Sequence, residues 1–316
     1  MKAQTDFRGS EVQDYLRCKK RYDYRWIQNL EPKQANEKLT IGSAIHKFLE
    51  LWHMEYREEE AMEATFQYML EKSEGIDHTT YEDMLILVKQ VCRNYVETYG
   101  HDSNWTVLAT EKQFSIPLDD GTNYIGTIDM IVEDEDGFVW FVDHKTTIAI
   151  DIFDKNSDMD RQISRYWFAL EQLGYNVHGF IYNIILKDYP QLPKMLKSGA
   201  LSKDKSQKTT AYLYREAIRM NKLKEEDYAD FLQFLDEQPK EFFRRLKVER
   251  TQAEVLASID EMEDVIEDIR NTKSYYRNIT KDCHWDCPFK TLCQAEMDGS
   301  NADHIRNELF KQKEVE

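Results

Sequence analysis

The stretch from Asn123 to Lys145 decides the fold: NYIGTIDMIVE at 123–133, DEDG at 134–137 and FVWFVDHK at 138–145. The outer segments are rich in β-branched and aromatic residues, and a polar turn ending in Gly137 divides them, which predicts a β-hairpin. Side chains alternate along a strand, so Asp143 and Lys145 point to one face. Asp129 lies between Ile128 and Met130, where the hairpin can bring it beside Asp143. A lone carboxylate in so apolar a strand is costly, and two sharing a site repel. A divalent cation offsets both problems, since Mg2+ usually takes one or two carboxylates and fills its shell with waters and phosphate oxygens. Taken alone, Asp143 and Lys145 also suit an ordinary ion pair on a solvated strand end.

Working outward, WTVLATEKQFSIP (105–117) predicts a preceding strand, 158–173 a helix ending at Gly174, and HGFIYNIIL (178–186) a further strand. Three strands, a helix and a strand make a mixed sheet with a crossover helix, an α/β core. Upstream, residues 10–30 carry helical spacing, with Ser10 as N-cap and Gln13 at the capping-box position. Residues 41–72 form a long helical region entered through Gly42, with Ile45, Phe48, Leu49 and Trp52 as its apolar stripe. A third helix fits 80–98, with Cys92 buried among its apolar positions, and 190–275 is largely helical and polar. The expected layout is one domain over 1–316. It has a helical part at 1–100, an α/β core at 101–190, a helical insertion at 191–275 and a cysteine-bearing tail at 276–316.

Composition sets the outer bounds. With 41% apolar and 32% charged residues among 316, the chain can bury a substantial core and is neither fibrous nor disordered. No apolar run approaches the ~20 residues of a membrane span, and the opening Met1–Ser10 has no apolar signal core, so a cytoplasmic protein is expected. The net charge of −17 counts against a nucleic-acid partner. Local fields govern contact, however, and carboxylates that hold cations are part of that count.

Gly126-Thr127-Ile128-Asp129 followed by Val142-Asp143-His144-Lys145 resembles the core motif of the PD-(D/E)xK nucleases, and most of all their RecB-like branch. That branch includes CRISPR-associated iron–sulfur nucleases and phage recombination exonucleases. Ile128 stands where many members carry proline. Gly42-Ser43-Ala44-Ile45-His46 is similar to the family's helical Gly-x-x-[Ile/Val]-His, and Gln162 to Tyr166 resembles its Gln-x-x-x-Tyr motif. The resemblance implies a restriction-endonuclease-like core of mixed sheet flanked by helices. It implies Mg2+ or Mn2+ held by His46, Asp129, Asp143 and the backbone carbonyl of His144, with Glu111 at a further acidic position. Lys145 would position or activate a water and stabilise transition-state charge. Gln162 and Tyr166, one helical turn apart, would reach DNA phosphate or Lys145.

Of five cysteines, Cys283, Cys287 and Cys293 fall within 11 positions, and Cys18 is the candidate fourth ligand. Clustered thiols in a reducing compartment favour metal, and four suit either zinc or a [4Fe–4S] cluster. One distant cysteine plus a C-terminal trio resembles the iron–sulfur staple of the RecB-like branch, here with C-x3-C as its first gap.

Two lysine-rich stretches could track a phosphate backbone: Lys194, Lys197, Lys203, Lys205 and Lys208, and Lys19-Lys20-Arg21. The expected function is a metal-dependent deoxyribonuclease, exonucleolytic and favouring single strands, acting in recombination, repair or replication. The competing reading is a non-catalytic nuclease-fold subunit that binds DNA or scaffolds a complex. The sequence has no G-x-x-x-x-G-K-[S/T] loop, so unwinding would come from a helicase or recombinase partner.

Overall fold

The computed structural model describes residues 5–102, 104–153 and 157–313. The first four residues of the opening stretch and the last three of the tail lie outside them. The chain enters through β1 (Asp6–Arg8) and turns at once into α1 (Gly9–Arg17). Ser10 is therefore already inside the helix. The N-cap is Arg8, whose side chain makes no capping bond, so the capping box expected at Ser10 and Gln13 does not form. The helix expected over 10–30 is also interrupted. Cys18 is extended (φ −165°, ψ 114°), and helix resumes as α2 (Lys19–Tyr22) and one wider turn over Asp23–Ile27.

After β2 (Leu30–Pro32), α3 (Glu37–His53) begins five residues before Gly42, capped by the Asn36 side chain on the Leu39 N–H. The region expected to be helical over 41–72 breaks at Met54, where α3 gives way to α4 (Glu58–Glu71). The long α5 (His78–Tyr99) follows.

The hairpin expectation holds. β3 (Trp105–Pro117), β4 (Asn123–Asp134) and β5 (Val139–Thr147) are successive antiparallel neighbours. α6 (Arg161–Gln172) then crosses to β6 (Val177–Leu186), which lies parallel to β5. Two strands of the main sheet went unrecognised in the sequence. β1 pairs in parallel with the start of β4. Phe243–Val248, after α7 (Ala211–Met220) and α8 (Ala229–Glu237), is β7, which joins β6 antiparallel inside the stretch expected to be helical. Its sequence, FRRLKV, buries only its ends, Phe243 and Val248, so charge masks the strand pattern.

α9 (Gln252–Asn271) packs against α6, and its Thr251–Glu254 pair forms a capping box. α10 (Lys290–Asp298) and α11 (Ala302–Leu309) lead to β8 (Phe310–Gln312), which pairs with β2 and ties the two ends of the chain together. Helices cover both sheet faces. On one, Trp167 of α6 meets Phe141 and Gln162 meets Lys145. On the other, His53 of α3 stacks on His144 and Tyr95 of α5 bonds Asn183. The main core fills these layers, while Leu201, Tyr214, Tyr228, Phe231 and Leu235 form a small separate core in the 191–242 region. Among the described residues no helix is long and apolar enough to cross a membrane.

Candidate active site

The site begins where two strands part. β4 and β5 are in register from Glu133–Val139 to Met130–Val142, and that register would next oppose Asp129 and Asp143. Pairing stops there. Asp129 Oδ2 instead accepts the backbone N–H of His144 at 2.7 Å. Beyond the gap, the start of β4 takes β1 as its neighbour. Two carboxylates at one register position repel in a low-dielectric core, and the parting of the strands gives them room.

Gly42 explains how α3 reaches this gap. A Cβ there would lie 3.0 Å from Thr146 Oγ1 on β5, so glycine lets the helix settle this close without pushing Thr146 aside. One turn further along, His46 Nδ1 lies 3.4 Å from Asp129 Oδ2. On the other sheet face, Lys145 Nζ lies 2.6 Å from Asp143 Oδ2 and donates to Gln162 Oε1 at 2.9 Å. Gln162 Nε2 returns to Asp143 Oδ1 at 3.3 Å. Gln162 lies in the first turn of α6, whose N-cap Asp160 accepts the Gln162 N–H at 2.8 Å and is held by the Tyr182 hydroxyl. The sequence reading missed Asp160 and Tyr182. The capping position of Asp160, just before the periodic run, was the available signal.

Glu111 lies on β3 between residues that pair with Met130 and Ile128, which sets it across from Asp129. Its φ of 44° is left-handed, an uncommon and strained conformation for a non-glycine residue inside a strand. Tyr166 packs edge-on against Phe114 and is within hydrogen-bonding reach of Gln162. Its hydroxyl is pushed up to about 12, chiefly by burial.

Burial, then the Asp143 charge, push Asp129 up to about 6, against His46, the His144 N–H and Lys145. The Glu111 residue is exposed as a whole, but desolvation of its carboxyl and then Asp129 and Glu50 push it up to about 7. Burial would lower the Lys145 ammonium, yet Asp143 and Asp129 hold it above its usual value. Lys145 is therefore a cation here. Asp143 Oδ2 is buried, with the Lys145 ammonium 2.6 Å away as its ion-pair partner.

The terminal cysteines gather around the segment Arg277–Asn278. The Asn278 N–H donates to Cys18 Sγ at 3.4 Å, and the Cys283 thiol faces the Asn278 carbonyl at 3.8 Å. Arg277 Nε donates to Cys293 Sγ at 3.2 Å. Cys287 is raised by burial, with Cys283 and Cys18 close enough to add to the effect and Arg21 to oppose it. Cys92 is buried apart from them in the main core, and burial drives its thiol up. The basic run beside Cys18 is not free for phosphate as expected. Lys19 pairs with Asp268, Lys20 with Asp23 and Glu296, and Arg21 with Asp14. The lysine-rich loop is also partly committed. Lys203 bonds the Asp227 carbonyl, Lys205 sits over the Phe234 ring and Lys208 pairs with Asp188.

The sequence matches the PD-(D/E)XK nuclease superfamily over residues 9–294, and the chain belongs to that superfamily. Its members are generally nucleases and typically use Mg2+ or Mn2+. Among curated proteins none matches significantly. Two solved structures are similar to it, each at 13% identity. The crystal structure of SSO0001 aligns over 93% of this chain and 88% of its own, with a TM-score of 0.38. A protein named "Putative exonuclease" from Eubacterium rectale aligns over 88% and 92%, with a TM-score of 0.35.

Among the described residues, no three His, Cys, Asp or Glu side chains stand close enough together to hold a metal ion as they are. The donor chemistry at the strand gap still fits a hard divalent cation. Asp143 is a buried carboxylate with one ammonium beside it, Asp129 is a second desolvated carboxylate, and His46 adds a ring nitrogen.

Proposed function

We propose that the chain is a divalent-metal-dependent deoxyribonuclease. The observation that carries this reading is the pair Asp129–Asp143, set at the point where β4 and β5 part, with Lys145 bridging Asp143 and Gln162. His46, Asp129, Asp143 and the His144 carbonyl would hold Mg2+ or Mn2+, with Glu111 across the gap. Such an ion, when bound, polarises phosphoryl oxygen and offsets charge in the transition state. The held ammonium of Lys145 makes it an electrostatic stabiliser of the pentavalent phosphate and an orienter of the attacking water, not a proton acceptor. Gln162 fixes that ammonium from α6. Tyr166 sits one turn behind Gln162 and would orient the amide.

Cys18, Cys283, Cys287 and Cys293 are proposed as ligands of a [4Fe–4S] cluster. In support, N–H groups already point at Cys18 and Cys293, and Arg277, Arg17 and Arg21 stand nearby to favour thiolates. Exonucleolytic cutting of single strands, a role in recombination or repair, and a helicase or recombinase partner belong to the same reading and rest on family resemblance.

The test uses labelled single- and double-stranded DNA with Mn2+, Mg2+ or EDTA, comparing wild type with Lys145→Ala. Cutting that needs the metal and the lysine, with DNA binding retained in the variant, is expected. Equal cutting by Lys145→Ala refutes the role of the lysine. No cutting by iron-loaded wild type refutes the enzyme and favours a DNA-binding subunit.

A further inference from the structure

A continuous polar chain runs through the sheet behind the carboxylates, from the edge strand β7 to the peptide that grips Asp129. It starts at Asp102, whose carboxylate takes both terminal nitrogens of Arg245 at 2.6 and 2.7 Å. The Arg245 guanidinium stacks between Tyr99 and Trp105, 3.8 and 4.2 Å from their ring centres. It also donates to the Tyr95 hydroxyl at 3.1 Å. Asn183, wholly buried on β6, donates to the same hydroxyl at 2.9 Å and lies 2.9 Å from His144 Nδ1. The His144 N–H then holds Asp129 Oδ2.

Burying Asn183 and His144 side by side in a sheet is expensive, and a Leu–Leu pair would pack there at no desolvation cost. The chain is also built to hold one geometry. The Asn183 amide lies 2.9 Å from the His144 ring, and His53 stacks 5.9 Å away with planes only 9° apart, fixing the ring tilt. Burial first, then His46 and His53, keep His144 neutral. The terminus of this polar chain is the backbone N–H of His144, in the peptide that joins it to Asp143, and that N–H orients the Asp129 carboxylate.

We infer that Tyr95, Asn183 and Arg245 are positioning residues: they fix the His144 peptide and so set how far Asp129 stands from Asp143. This rests on the metal-dependent reading above. Networks that orient metal ligands in this way change metal affinity by roughly 10- to 100-fold when broken.

The experiment measures Mn2+ binding by calorimetry and melting temperature on the full chain, then kcat and KM on DNA, for wild type, Tyr95→Phe and Asn183→Leu. Tyr95→Phe deletes one hydroxyl and keeps the ring packing, so it should fold. Expected is Mn2+ binding weakened about tenfold in Tyr95→Phe and more in Asn183→Leu, with kcat reduced, KM for DNA unchanged, and melting of Tyr95→Phe within a few degrees of wild type. Mn2+ affinity equal to wild type in Tyr95→Phe overturns the inference, whatever happens to Asn183→Leu. A fall in affinity matched by an equal fall after an apolar core change such as Val88→Ala also overturns it, because the effect would then be general softening. The two readings fail separately: wild type that binds Mn2+ but cuts no DNA refutes the nuclease and leaves the binding comparison intact.

Discussion

Asp129→Asn should make the metal-free protein more stable at pH 8, at the expense of the proposed function. Asp129 is mostly buried, and its carboxyl is pushed up to about 6 by burial and by Asp143. The folded state thus holds this proton more tightly than the unfolded chain does. The stability gained from it is fully present below about pH 4 and is lost as pH rises through about 6. A displacement of roughly 2 pH units is worth ~3 kcal/mol. In a chain of this length that moves the melting temperature by roughly 6 °C. The amide that replaces the carboxylate keeps an oxygen to accept the His144 N–H, so that contact survives. In EDTA at pH 8 the variant should melt about 6 °C above wild type, and the gap should close by pH 4. Mn2+ at 1,000 times its dissociation constant should reverse the order at pH 8, since a ligand at that excess adds about 4.1 kcal/mol to the state that binds it. A variant no more stable than wild type in EDTA at pH 8 would refute the reasoning, as would a gap of the same size at pH 4.

Gly42→Val should cost ~1–3 kcal/mol by forcing α3 away from Thr146, and should raise the Mn2+ concentration needed for cutting; urea melts and a metal titration check both. Asp160→Ala removes the cap on the Gln162 N–H and the partner of Tyr182, so it should lose ~1 kcal/mol and lower kcat with little change in KM. Cys18→Ala should lower both iron per chain and melting temperature, whereas Cys92→Ala should keep its iron. Iron content equal to wild type in Cys18→Ala would sink the cluster assignment.

The hairpin, the crossover helix and the placing of Asp143 and Lys145 on one face were legible because they follow from local periodicity. The 105–117 strand matches β3 end to end, and the 123–133 and 178–186 strands differ from β4 and β6 by one residue. The glycine of the Gly42 motif was legible as a residue, but its purpose was not. Only the packed helix shows that a Cβ would meet Thr146.

What the sequence determined by itself is the set of groups and their local spacing: which strand carries Asp129, which carries Asp143 and Lys145, and which helix carries Gln162. What only the tertiary structure decided is where those groups stand in space. β4 and β5 part at one register position, β7 emerges from a charged segment to complete the sheet, and Cys18 meets residues some 260 positions away. The helix break at Cys18 and the left-handed backbone of Glu111 belong with these. The physical reason is common to all of them. Periodicity reports which side of an element is apolar, a local property. Strand parting, edge pairing and strained backbone depend on contacts between segments far apart in the chain, whose energies outweigh local preference and leave no local trace.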